Sequence, residues 1–190
     1  MGQLLLQVKN VSKVFGNLNA LEDLSIDIEK GSIIGLVGSN GAGKTTLLRL
    51  LCGLYRPTKG DIFFLKDGEE KNIDKFREAV GILPESTGLY HRLTAWENIR
   101  YYSRLNGVSD SISWERTLRF SKALSFSNDL MRHTRGFSRG MRQKTAILRA
   151  LAHGPEILLL DEPTAGLDVT SARLVRKLVL FTLLQSQDAG

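Results

Sequence analysis

A single cysteine, Cys52, stands among 190 residues. No disulfide can therefore close within the chain, which suits a reducing compartment. Long apolar stretches are missing too. Runs such as 157–160 fall far short of the ~20 residues that a membrane-spanning helix needs, so no span is expected. Residues 1–13 lack a basic stretch followed by a long apolar core, and no signal peptide is read there. These absences lead to the expectation of a cytoplasmic protein. Internal repeats and low-complexity tracts are also lacking. What is present is apolar material, 42% of residues, enough for a core and more than a disordered chain carries. The length suits one domain, or one domain with a lobe. The net charge of +6 suits nucleic acid, anionic headgroups, phosphorylated small molecules or simply a solvated surface, and scattered positions do not choose among them.

Local patterning places elements. Leu4, Leu6, Val8, Val11 and Val14, and later Leu24, Ile26 and Ile28, follow a period of two, as antiparallel strands with one wet face do. Residues 32–37 (SIIGLV) form a compact apolar run without alternation, the pattern of a strand buried on both faces. Helical spacing begins at Thr45 with Leu47, Leu48, Leu50 and Leu51 and ends at Gly53. Further short strands are read at 61–65, 80–83 and 156–160. Between them the character changes. Thr94 and Glu97 have capping-box spacing, with Trp96, Ile99 and Leu105 expected on the apolar face of the helix that follows. Helices are also expected over 113–124, 140–152 and 173–184. The expected organisation is a single domain over 1–190: a core with a β subdomain (1–85 and 138–190) and a helical insert (86–137).

Two motifs carry chemistry. Gly38-Ser39-Asn40-Gly41-Ala42-Gly43-Lys44-Thr45, followed by Thr46, fits the phosphate-loop pattern between an apolar run and a helix. Glycines let the backbone curl so that N–H groups converge on anionic oxygens. The helix start adds its positive end. Lys44 can reach β- and γ-phosphates, and the Thr45 hydroxyl is the expected ligand for Mg2+, a cation that prefers oxygen. A glycine-rich turn that merely caps a helix is the bland alternative. The loop by itself does not separate a kinase, a GTPase, a helicase or a transporter ATPase. The second motif is the apolar run 157–160 delivering Asp161 and Glu162 at its end. Ligands of open α/β sheets bind at the carboxyl ends of strands. There Asp161 can hold Mg2+ while Glu162 polarises an attacking water as general base. The alternative is a strand that simply ends in charged residues.

Three further segments resemble one family. Gly136-Phe137-Ser138-Arg139-Gly140-Met141 resembles the signature of ABC ATPases, Pro163-Thr164-Ala165-Gly166-Leu167-Asp168 resembles their D-loop, and Phe15-Gly16 resembles the aromatic A-loop that stacks on adenine. The pieces occur in the family's order from about Leu6 to Val175. The resemblance implies an α/β P-loop NTPase core with a mostly parallel central sheet, an N-terminal antiparallel β subdomain and an α-helical subdomain. It implies ATP and Mg2+ as cofactors and hydrolysis of ATP to ADP and phosphate, with Glu162 catalytic and Thr45, Glu85 and Asp161 on the metal. ATP would be bound by Phe15, by 38–46, and by Ser138, Gly140 and Asp168. It further implies a head-to-tail homodimer in which Ser138 and Gly140 meet the other subunit's γ-phosphate, coupled to a separate permease at the inner face of the membrane. No nucleic acid is expected. Phe15 as a core aromatic and Ser138 as a plain N-cap are the bland readings.

This sequence departs from the family pattern in three places. Arg139 and Met141 replace a glycine and a glutamine of the signature, and Glu85 stands where most relatives have the Q-loop glutamine. With Pro84, 88–90, Leu93-Thr94 and 137–144, these resemble the branch that partners ABC-2-type permeases, including sodium-efflux and drug-export systems. No histidine follows Asp161; His91, His133 and His153 all precede it. The family's switch histidine therefore has no counterpart here, the chain reads as C-terminally truncated, and weakened hydrolysis is expected. Residues 88–92 are a candidate permease contact, or a solvated loop. A soluble ABC ATPase acting on DNA or ribosomes is the second class; 44–138 leaves no room for a long coiled coil, and only one such domain is present. A binding-only protein is the third.

Overall fold

The computed structural model describes residues 3–66, 69–72 and 77–187. They fall into two compact units, 1–78 and 79–190.

The first unit is built on an antiparallel sheet. Strands β1 (Leu4–Phe15), β2 (Leu18–Glu29), β3 (Lys59–Lys66) and β4 (Glu69–Asn72) lie in the order β2-β1-β3-β4. The period of two works as expected. Leu6 and Val8 sit opposite Phe64 and Ile62, and all four are buried. Gln7, between them, turns to the other face, where its amide donates to Asp27 Oδ1 at 2.9 Å. Helix α1 (Lys44–Leu51) buries Leu47, Leu48, Leu50 and Leu51.

The run 32–37 does not form the buried strand that its composition suggests. It has no regular structure; Ile33, Ile34 and Leu36 are exposed, and Val37 is 100% exposed. An interior strand needs a hydrogen-bonded neighbour on each side to satisfy its backbone. The four-stranded sheet closes without this segment. Strand character here depends on partners, and apolar composition alone does not supply them.

The second unit pairs β5 (Val80–Leu83) with β6 (Ile157–Leu160) in parallel, from Val80↔Ile157 to Leu83↔Leu160. Four helices accompany them: α2 (Ala95–Leu105), α3 (Asp110–Ala123), α4 (Arg139–Ala152) and α5 (Val169–Gln187). One core joins Leu83, Ile99, Phe120, Leu124, Ile147, Leu148, Val175 and Leu178. The capping box of α2 forms: Thr94 Oγ1 accepts from Glu97 N at 3.1 Å, and Glu97 Oε2 accepts from Thr94 N at 2.8 Å. These bonds hold the Glu97 carboxyl below its ordinary pKa. Trp96 and Ile99 are buried, whereas Leu105 is 65% exposed. Leu105 follows Ile99 by six positions, which turns it well off the apolar stripe of a 3.6-residue helix. Helix α3 starts earlier than residue 113 because Ser109 caps it, accepting from Ile112 N at 3.4 Å.

Candidate nucleotide site

In the first unit, the phosphate-type loop leads directly into α1. Gly43 caps the helix in the left-handed region, with φ 84°. A Cβ on Gly43 would strike the Ala20 carbonyl oxygen and lie 2.8 Å from Leu21 Cδ2 of β2. Both the conformation and the close approach therefore require glycine. Lys44 curls back, and its Nζ donates to the carbonyls of Gly38 at 2.7 Å and Ser39 at 2.8 Å. The first turn of α1 carries no acidic side chain, so nothing on it opposes an anion at the helix's positive end. Thr45 and Thr46 are half-buried and Gly38, Ser39, Asn40, Gly41 and Ala42 are exposed.

Phe15 lies at the end of β1, opposite Leu18. It is 40% exposed, which is not a core position. Its ring meets Tyr55 edge to face at 5.3 Å, and Lys13 Nζ lies 5.0 Å from the Phe15 ring and 5.7 Å from that of Tyr55. Lys13 is held there by donating to the Arg56 carbonyl at 2.8 Å. The sequence singles out Phe15 alone. Tyr55 joins it only through folding, because it follows α1 by a few residues and carries no local signal.

In the second unit, the acidic residues issue from one end of the parallel pair. Leu83 and Leu160 are partners, so Glu85 and Asp161-Glu162 leave neighbouring strands at their carboxyl ends, where ligands of such sheets bind. The Asp161 N–H continues the ladder by donating to Leu83 O at 2.9 Å. Glu162 is exposed and has a φ of 48°, a conformation few non-glycine residues adopt. Glu85 and Asp161 here, like Thr45 in the first unit, offer only oxygen, the donor type that Mg2+ prefers. Among the described residues no cluster of three or more His, Cys, Asp or Glu forms a metal cage of its own.

Ser138 caps α4, its Oγ accepting from Met141 N at 3.2 Å, and the helix start leaves further N–H groups for an outside acceptor. A Cβ on Gly140 would lie 3.4 Å from Leu167 Cδ2, and the Arg139 side chain covers Gly166. The signature and D-loop segments therefore pack together, with the unusual Arg139 inside that contact. Asp168 Oδ1 accepts from Ser171 N at 2.8 Å near the start of α5. Hydrogen bonds from Ser171, with Lys144 adding a charge, hold the Asp168 carboxyl below its ordinary pKa.

Sequence reasoning left two α4 side chains without a role. Gln143, 5% exposed, donates from Nε2 to Pro163 O at 3.2 Å and to Glu162 O at 3.4 Å. Arg149 is buried against Tyr102, 4.5 Å from the ring centre, and donates to Gly88 O at 3.3 Å. Burial pulls its pKa down. Gln143 lies within the segment 137–144 that resembles the family branch, yet the sequence gives it no role, and Arg149 lies outside every motif.

Comparison with known proteins identifies relatives. A family model described as ABC transporter matches residues 21–165. The chain is 42% identical over 163 residues to ABC transporter ATP-binding protein NatA of Bacillus subtilis (strain 168), covering 85% of this chain and 66% of that protein. It is 34% identical over 175 residues to the bacitracin transport ATP-binding protein BcrA of Bacillus licheniformis, covering 92% of this chain and 56% of that protein. The chain therefore spans less than two thirds of these relatives' lengths. Among solved structures, the dimeric post-hydrolysis state of the ATP-binding cassette MJ0796 bound to ADP and Pi matches with a TM-score of 0.80 and 28% identity, over 92% of this chain and 81% of that one.

Proposed function

This chain belongs to the ABC transporter family and has the α/β fold of its ATP-binding cassettes, and on that premise we propose that it is the ATP-binding subunit of a transporter that drives a separate membrane permease. The observation that carries the reading is Lys44, whose ammonium rests on the carbonyls of its own loop at 2.7 and 2.8 Å, ready to exchange them for phosphate oxygens. The loop 38–46 supplies converging N–H groups and α1 its positive end. Phe15, with Tyr55 behind it, offers a flat apolar face to adenine.

Glu162 acts as general base. Its carboxylate takes a proton from water, the water oxygen bonds to the γ-phosphorus, and the bond from that phosphorus to the bridging oxygen of ADP breaks. ADP and phosphate leave, and the base releases its proton. Bound Mg2+, held by Thr45, Asp161 and Glu85, would neutralise phosphate charge. Ser138 and Gly140 receive the γ-phosphate of a second, head-to-tail copy, and Asp168 lies beside that contact. The relative MJ0796 is dimeric in its ADP- and Pi-bound state, which supports the pairing.

The helical segment 86–137 transmits closure to the permease, and export is the direction that Pro84-Glu85 and 137–144 favour. Loop 88–92 suits the contact. Its backbone is fixed by Asn98, which accepts from Tyr90 N at 2.8 Å and donates to Tyr90 O at 3.1 Å, while the Tyr90 ring is exposed. An exposed aromatic on a rigid loop is a ready contact surface. No helix among the described residues is long and apolar enough to cross a membrane, so on this reading the chain reaches the inner face through its partner. Affinity purification of the tagged chain from detergent-solubilised cells is expected to retain a permease, with recovery lowered by Tyr90→Ala. Ribosomes in place of a permease would contradict the transporter reading.

A further inference from the structure

We propose that Gln143 is a positioning residue that latches the turn carrying Glu162 to α4 and so aims the Glu162 carboxylate. The inference rests on the reading of Glu162 as general base. Glu162 occupies the left-handed region, which is unfavourable for a side chain with a Cβ and persists only where surroundings impose it. Pro163 follows it, and a residue before proline is pushed away from the right-handed helical region. The turn then has two choices: stay as it is, or relax to an extended backbone that swings the carboxylate elsewhere.

Hydrogen bonds from three residues among those described oppose relaxation. The Asp161 N–H is tied to Leu83 O at 2.9 Å, and the Ala165 N–H closes the turn on Glu162 O at 3.0 Å. The third is the Gln143 amide, which divides itself between Glu162 O at 3.4 Å and Pro163 O at 3.2 Å. This third bond comes from outside the turn and its own sheet. Gln143 can act as a fixed point because α4 is anchored on both sides of it. Ser138 caps the helix, and Ala146, Ile147 and Leu148 are buried in the core. A buried amide must find acceptors, and here it finds the two carbonyls that flank the Glu162–Pro163 bond.

The test compares Gln143→Leu with the parent chain, each also carrying Glu162→Gln. Leucine fills similar space and cannot donate. In the parent background we expect kcat for phosphate release to fall about tenfold, the scale of a lost buried hydrogen bond, with KM for ATP changed less than twofold. In the Glu162→Gln background the same substitution should cost nothing further, since a residue acting through Glu162 is non-additive with it. Equal losses in both backgrounds would overturn the proposal. Amide hydrogen exchange gives a readout independent of turnover. Ala165 should exchange about tenfold faster in Gln143→Leu, while Ile147 and Leu148 stay protected. An unchanged Ala165, or loss of protection throughout α4, would overturn the latch. Equal phosphate release by the parent and by Glu162→Gln alone would instead refute the general-base reading, and the exchange result would still decide the latch.

Discussion

Glu162→Gln is expected to slow phosphate release by roughly 10²–10⁴-fold, the usual contribution of a positioned general base, while leaving ATP affinity near that of the parent. The amide matches the carboxylate in size but cannot accept a proton from water. Glu162 is exposed, and its backbone is held through its carbonyl, so the substitution should not disturb the fold. Its carbonyl, not its carboxylate, receives the Gln143 and Ala165 hydrogen bonds, and that carbonyl is unchanged in the variant. A fall in kcat without a rise in KM marks an interaction made only in the transition state. Radiolabelled phosphate release under saturating MgATP measures it. Identical rates for parent and variant would remove Glu162 from the chemistry.

The second large effect falls on binding. Lys44→Ala should weaken ATP affinity by roughly 10- to 150-fold, because a hydrogen bond to a charged group contributes about 1.5–3 kcal/mol. The thermal midpoint should hardly move. The ammonium donates to the Gly38 and Ser39 carbonyls, and both residues are exposed, so water can replace it there. Calorimetric titration with MgATP separates the two effects. An unchanged Kd would mean that the phosphates are held elsewhere.

Much of this site is local and therefore readable in sequence. The spacing of Gly38, Gly43 and Lys44 specifies a curled loop before a helix, and the structure adds why Gly43 cannot be replaced: β2 presses on it. The Thr94–Glu97 box and the Ser138 cap are also decided within four residues. Strands β5 and β6 are short apolar runs that find each other. The segment 32–37 looks similar on paper and forms no strand, because pairing is settled by distant neighbours. The same holds for the Phe15–Tyr55 pair and for Gln143. Its acceptors lie about twenty positions away, and the unusual φ of Glu162 has no signature except the proline that follows it. Arg139 reads as a departure in a motif, whereas in the structure it is a side chain covering Gly166.

All of these expectations depend on a triphosphate being gripped by the backbone around Lys44. Titration of the isotopically labelled chain with MgATP, followed through its backbone amide resonances, tests that most directly. The largest saturable shifts should fall on Gly41, Ala42, Gly43, Lys44, Thr45 and Thr46, whose N–H groups would point at phosphate oxygens. Saturable shifts centred on other segments, with these six amides unmoved, would contradict the account.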